Sequence, residues 1–192
     1  MAGKQETIRK TIEALEQQVD VMLSEAQKKF HYTLEQDKAI FENVVIERHK
    51  VIKQALHRTL LDARIRNLIA APFIYAVLLP FILLDGFVSL YQAICFRLWN
   101  IPRVKRKEYI IIDRHRLPYL NAIQKLNCVY CGYANGLIGY VAEVSSRTEQ
   151  YWCPIKHALR VKQPHLHYYD FIDYGDYENL LARIRELRKQ ME

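Results

Sequence analysis

The residues of this chain whose types and spacing point to chemistry are three cysteines and a histidine. They fall in two short runs, Cys128-Val129-Tyr130-Cys131-Gly132-Tyr133 and Cys153-Pro154-Ile155-Lys156-His157. Two cysteines separated by two residues can bring both thiolates to one ion, and a glycine directly after them permits a tight turn whose backbone N–H groups point at sulfur. A second pair of ligands from a distant turn would close a tetrahedron, which is how a small domain builds a structural zinc or single-iron site. The expected metal ligands are therefore Cys128, Cys131, Cys153 and His157. Zinc is the expected ion, because three sulfurs and one imidazole suit it, with iron as the alternative. Such a metal would contribute folding free energy directly.

The same residues admit other readings. Cys128 and Cys131 could form a thiol–disulfide couple if Cys128 stood at a helix N-terminus, although no alternating strand–helix pattern surrounds them. All three cysteines could be buried apolar side chains. The fourth ligand could be water, His115, His165 or His167 instead of His157. Cys95 lies inside an apolar stretch and reads as packing. Asp113 with His115, or His165 with His167, are types capable of acid–base work, but nothing in the sequence sets them beside a pocket. No P-loop, G-x-G-x-x-G, G-x-S-x-G or H-E-x-x-H occurs, so the sequence makes no case for an enzyme. The C-x-x-C-G-Y run resembles a rubredoxin or zinc-ribbon knuckle. The second run departs from the partner knuckle, C-P-x-C-G: Lys156 stands where the fourth cysteine belongs, and His157 follows it. This resemblance covers about ten residues and implies a metal site without implying a fold.

Three stretches must position these residues. From Leu68 to Trp99 only Asp85 and Arg97 are charged, and an apolar run of this length is a membrane signal. Lys and Arg flank it on both sides: Arg48, Lys50, Lys53, Arg58, Arg64 and Arg66 before it, Arg97, Arg103, Lys105, Arg106 and Lys107 after it. Positive charge marks the cytoplasmic flank, and matched flanks place both ends on one side. Pro80 and the turn dipeptide Asp85-Gly86 offer a bend, so the expectation is a membrane hairpin or re-entrant segment over 67–100. One tilted span, or a buried helix pair in a soluble protein, are the alternatives. Ahead of it, residues 1–66 read as one amphipathic, coiled-coil-like helical arm. Its apolar positions Ile8, Ile12, Leu15, Val19, Met22 and Ala26 alternate in steps of four and three. Phe30 and Leu34 shift the phase as a stutter does. A second stripe runs through Phe41, Val45, Ile52, Leu56 and Leu60. This arm either folds back on its own domain or self-associates.

Residues 101–192 read as a cytoplasmic metal-binding domain rich in helix. Glu108 to Asp113 reads as a short strand, Pro118 as the first residue of a helix, and 137–149 as helical. Asp176 to Gln190 reads as an amphipathic helix, with Leu180, Leu181, Ile184 and Leu187 as its apolar stripe. Gly132, Gly136 and Gly139 could turn the backbone or admit a close neighbour.

The formal net charge is +7 over 192 residues, which favours an anionic partner. Membrane lipid is expected rather than nucleic acid, because the tyrosine-rich tail carries Asp170, Asp173 and Asp176 instead of interleaved cations. The N-terminus MAGKQETIRK has no apolar core followed by a cleavage site, so the thiols are expected in a reducing compartment. The run IPRVKRKEYIIIDRHRLPYLNAIQKLNCVYCGYANG through YWCPIKHA, together with the apolar stretch before it, resembles an uncharacterised family of conserved bacterial, largely proteobacterial, membrane proteins. That resemblance implies the inner membrane, on its cytoplasmic side, and brings no activity with it. The whole reads as a mainly α protein: helical arm, membrane hairpin, small α-rich domain. Its expected role is scaffolding or partner recruitment; membrane-bound redox or metal handling is the alternative.

Overall fold

The protein, seen here as a computed structural model, is described for residues 2–35, 38–53, 65–178 and 180–191. Leu56, Arg58, Leu60 and Arg64 lie outside the described residues, as do the side chains of Ile8 and Ile52. The chain is mainly helical and divides into two compact units. One comprises Met1–Leu68 and Ile112–Gly132, the other Ile69–Ile111 and Tyr133–Glu192.

In the first unit, α1 (Ala2–Phe30) is rich in Lys, Glu, Gln, Ala and Leu, all good helix formers. It stops where His31 takes a φ of 53°, the left-handed conformation that commonly ends a helix. The chain then forms an antiparallel pair, β1 (Tyr32–Glu35) with β2 (Lys38–Phe41), in the register Tyr32↔Phe41 through Glu35↔Lys38. The Glu42 N–H donates to the His31 carbonyl at 3.3 Å and closes the base of this pair. Aromatic rings tie these strands to α2 (Asn43–Ile52) and onward. Tyr32 meets Phe41 at 5.5 Å, Phe41 meets His49 at 5.4 Å, and His49 meets Tyr119 edge-on at 5.0 Å. After Tyr119, Asn121 opens the long helix α6 (Ala122–Trp152). Its Oδ1 accepts from the Gln124 N–H at 3.0 Å, and Gln124 Oε1 accepts from the Asn121 N–H at 2.9 Å. That reciprocal capping satisfies two N–H groups that a helix start leaves free.

In the second unit, α3 (Ile65–Ala76) and α4 (Leu78–Tyr91) meet at Val77, and a π turn, Gln92–Phe96, prolongs them. The interruption belongs to Pro80. Its ring excludes the bond to the Ala76 carbonyl, so the ladder resets at Val77, whose N–H turns to Ile74 O. Asn100, with a φ of 56°, ends the run and swings Ile101 and Val104 back into a core with Phe96, Leu137, Tyr140, Val144 and Met191. The single turn α5 (Arg106–Tyr109) then crosses α6 at Gly136. A Cβ there would lie 2.5 Å from the Tyr109 carbonyl oxygen and 2.7 Å from Ile110 Cα, so only glycine admits this approach. Past α6, a bridge between Ile155 and Ile172 turns the chain toward α7 (Leu180–Lys189). Its Leu187 is fully buried, and Arg188 donates to Tyr151 O at 2.8 Å while lying over the Tyr151 ring at 4.5 Å.

Several expectations are corrected. The N-terminal arm is not one helix, because β1 and β2 interrupt it: Tyr32, Thr33, Ile40 and Phe41 suit a pleated pair better than a helix face. Asp85-Gly86 does not turn the chain; both lie within α4. Residues 110–113 pair with no strand, the preceding turn being helical. Pro118 sits in a turn, and the helix begins at Ala122 instead. The last helix spans only Leu180–Lys189, with Leu181 exposed.

Candidate functional site

Cys128 and Cys131 lie on a helix, where the C-x-x-C-G pattern suggested a tight turn. They lie within α6, three residues apart, with Cys128 half-buried and Cys131 exposed. Cys153 follows the last turn of the same helix, its N–H donating to Glu149 O at 2.7 Å. Twenty-one residues of chain lie between Cys131 and Cys153, all of them within α6. His157 is engaged with Tyr168: the Tyr168 hydroxyl accepts from the His157 N–H at 2.7 Å, and the rings stack at 5.8 Å. Of the four expected ligands, Cys128 and Cys131 thus belong to the first unit, Cys153 and His157 to the second. Among the described residues no group of three or more His, Cys, Asp and Glu side chains is placed to hold a metal ion. A thiol couple at a helix N-terminus is not formed either, since Cys128 stands six residues inside α6.

The organised polar groups of the second unit lie instead beneath the apolar helix. Asp85, Ser89 and Gln92 are spaced to share one face of α4 and its π turn. Arg106 grips Asp85 with two bonds, Nε to Oδ1 at 2.9 Å and Nη2 to Oδ2 at 2.5 Å. The Tyr133 hydroxyl donates to Asp85 Oδ2 at 3.0 Å, and Ser89 Oγ lies 3.4 Å from both Asp85 Oδ1 and the Tyr140 hydroxyl. Gln92, only 2% exposed, uses its whole amide. Its Nε2 donates to the Tyr140 hydroxyl (2.7 Å) and to Val104 O (3.2 Å), and its Oε1 accepts from the Val104 N–H at 2.7 Å. Gln92 and Phe96, four residues apart in the π turn, are both buried. The hydrogen bond to Asp85 raises the Arg106 pKa further above its ordinary value. Burial, followed by the bond to Asp85, raises that of Tyr133. Both groups are therefore locked in the protonated state, and the network works as a latch holding α4 onto α6.

A second cluster fastens the C-terminal segment to α6. His165 Nε2 lies 2.9 Å from Glu149 and His167 Nε2 lies 3.4 Å from Glu143. Glu143 also accepts from Arg147 Nε at 2.8 Å, and Arg147 Nη1 donates to Pro102 O at 2.7 Å. Chiefly through the His167 bond and then through Arg147, with burial working the other way, the Glu143 carboxyl is lowered to about 2. Beyond this cluster Arg160, Lys162 and His157 line a shallow, open pocket of about 470 Å³ with Tyr168 and Tyr169.

The latch leaves the opposite face of the apolar helix bare. Ile69, Phe73, Leu83, Phe87, Leu90 and Ile94 are all exposed, and none of the most apolar eighteen-residue window is buried. From Ile65 to Phe96 the helix is long and apolar enough to cross a membrane by length and composition. In the sequence Asp85 stands out only as a charge within the apolar run and as part of a turn dipeptide. Its partners Arg106 and Tyr133 carry no local signal, whereas the i, i+4, i+7 spacing of Asp85, Ser89 and Gln92 is a readable sign of a docked stripe. Compared with known protein families, curated proteins and solved structures, the chain finds no match.

Proposed function

We propose that this chain is a non-enzymatic protein attached to the cytoplasmic side of a bacterial inner membrane, where it recruits a partner or a further copy of itself. The observation that carries this reading is the uncovered apolar face of the helix Ile65–Phe96. Exposed contiguous apolar surface on this scale marks a lipid or protein interface. Arg66, Arg97, Arg103 and Lys107 are exposed around it, as contact with anionic lipid would require. The interior polar groups support a structural role: Asp85, Arg106, Tyr133, Gln92 and Tyr140 are spent on one another. Recruitment would fall to α1, whose Leu15, Val19 and Met22 are each more than half exposed, an exposed seam of coiled-coil spacing. This reading does not depend on a zinc or iron centre at Cys128, Cys131, Cys153 and His157.

The test is fractionation of the expressed full chain. The expected result is recovery in the membrane pellet after a high-salt wash, and release when Phe73, Phe87 and Ile94 are each changed to Glu. Recovery of the wild-type chain in the soluble fraction would contradict the reading.

A further inference from the structure

Two observations bear on how the apolar helix meets a bilayer, and they rest on the membrane reading above. First, the segments on either side of it belong to one compact unit. Met1–Leu68 and Ile112–Gly132 fold together, and the His49 ring, which precedes the helix, packs edge-on against Tyr119, which follows it, at 5.0 Å. Rings in contact are on the same side of any membrane. Second, the helix between them does not double back, since Asp85 and Gly86 are inside α4 and the break at Val77 is a local reset. An unreversed helix with both flanks on one side cannot cross and return.

The distribution of side chains fits a helix that lies flat. At 100° per residue, Leu83, Phe87, Leu90 and Ile94 fall on one face of α4 and its π turn, and all are exposed, as are Ile69, Phe73 and Ile74 around α3. Asp85, Gln92 and Phe96 fall on the opposite face, where they are docked on α6 or in the core. A helix of about 48 Å, reckoned from 32 residues at ~1.5 Å each, also exceeds the ~30 Å hydrocarbon thickness that an upright span must match. Along α4 and its π turn the exposed apolar side chains lie opposite the docked ones, so this stretch offers one side to an interface, with cations at its margins. Arg66, Arg97, Arg103 and Lys107 supply those cations.

We propose that this helix attaches the protein to one leaflet of an anionic phospholipid membrane without crossing it. Its exposed face would be sunk in the acyl boundary, and its latched face would carry the rest of the second unit.

The experiment uses the full chain with its four cysteines changed to serine, carrying single probes Lys50→Cys or Lys107→Cys, expressed in bacteria. Spheroplasts are treated with a membrane-impermeant maleimide before and after permeabilisation. The expected result is that both probes resist labelling in intact spheroplasts and both react after permeabilisation. Labelling of one probe but not the other before permeabilisation would mean a crossing and overturn the proposal while leaving membrane attachment intact. A second measurement, flotation of the purified protein with vesicles of phosphatidylcholine and phosphatidylglycerol, keeps the two apart. Flotation that falls at least tenfold on pure phosphatidylcholine is expected. Failure to float on either vesicle would remove the membrane reading and this proposal together.

Discussion

Replacing Gly136 by alanine sets two well-known effects against each other, and the structure decides the sign. In an isolated helix alanine is better than glycine by about 0.8–1 kcal/mol. At Gly136, however, the added carbon would stand 2.5 Å from the Tyr109 carbonyl oxygen and 2.7 Å from Ile110 Cα, where ordinary contact begins at 3.4 Å. Both obstacles are backbone atoms, which cannot rotate away as a side-chain tip can, so α5 and α6 must part by close to an ångström. Overpacking of this kind costs roughly 1–3 kcal/mol, and with the intrinsic gain of alanine set against it, a net loss of about 1–2 kcal/mol is expected. Gly86 is the control: it also lies in a helix, and a Cβ there would meet nothing within 4 Å. Gly86→Ala should therefore stabilise by about 0.5–1 kcal/mol. Urea unfolding of both variants in mild detergent, followed by circular dichroism, reads these as midpoint shifts of opposite sign at a constant slope. A Gly136→Ala variant as stable as Gly86→Ala would refute the close crossing of α5 over α6.

The Glu143 carboxyl, lowered from 4.5 to about 2 by His167 and Arg147, binds its proton less readily folded than unfolded. Its contribution is therefore fully present above about pH 5 and lost as pH falls toward 2, on the order of 2–3 kcal/mol. Glu143→Gln should flatten that acid limb of the stability profile. Gln92→Leu keeps the volume but strands the Val104 N–H and removes a partner of Tyr140; a loss of about 2–4 kcal/mol is expected in the same unfolding assay, from desolvated groups left unmatched. Elemental analysis of the purified chain should find less than one zinc or iron per molecule, unchanged in Cys153→Ser. One equivalent lost with that substitution would show that Cys153 and a metal do meet.

Much of the scaffold was legible from residue types. The apolar run, its matched basic flanks, the glycines that admit a close neighbour, and the stripe Leu180, Ile184 and Leu187 all carry local signals. The misreadings share a cause, because each depended on contacts far apart in sequence. Cys128-x-x-Cys131-Gly132 carries the local pattern of a metal knuckle. Yet Asn121 and Gln124 cap a helix just upstream, and Leu137, Tyr140 and Val144 continue its buried face, so the run is absorbed into α6. Asp85-Gly86 has turn chemistry, but Arg106 and Tyr133 satisfy the aspartate without a turn. The strand pair over 32–41 hid behind apolar spacing that also suits a helix, and the pairing of Tyr32 with Phe41 selected between the two.

The central claim is that the apolar helix lies along one leaflet. Nitroxide labels placed singly at Ile69, Phe73, Leu83, Phe87 and Ile94, with oxygen and nickel-chelate accessibility read by paramagnetic resonance in phosphatidylglycerol-containing vesicles, give the immersion depth of each position. The account predicts similar, shallow depths at all five, with no trend from one end of the helix to the other. Depths that rise steadily to the bilayer centre near Leu83 and fall again toward both ends would contradict it.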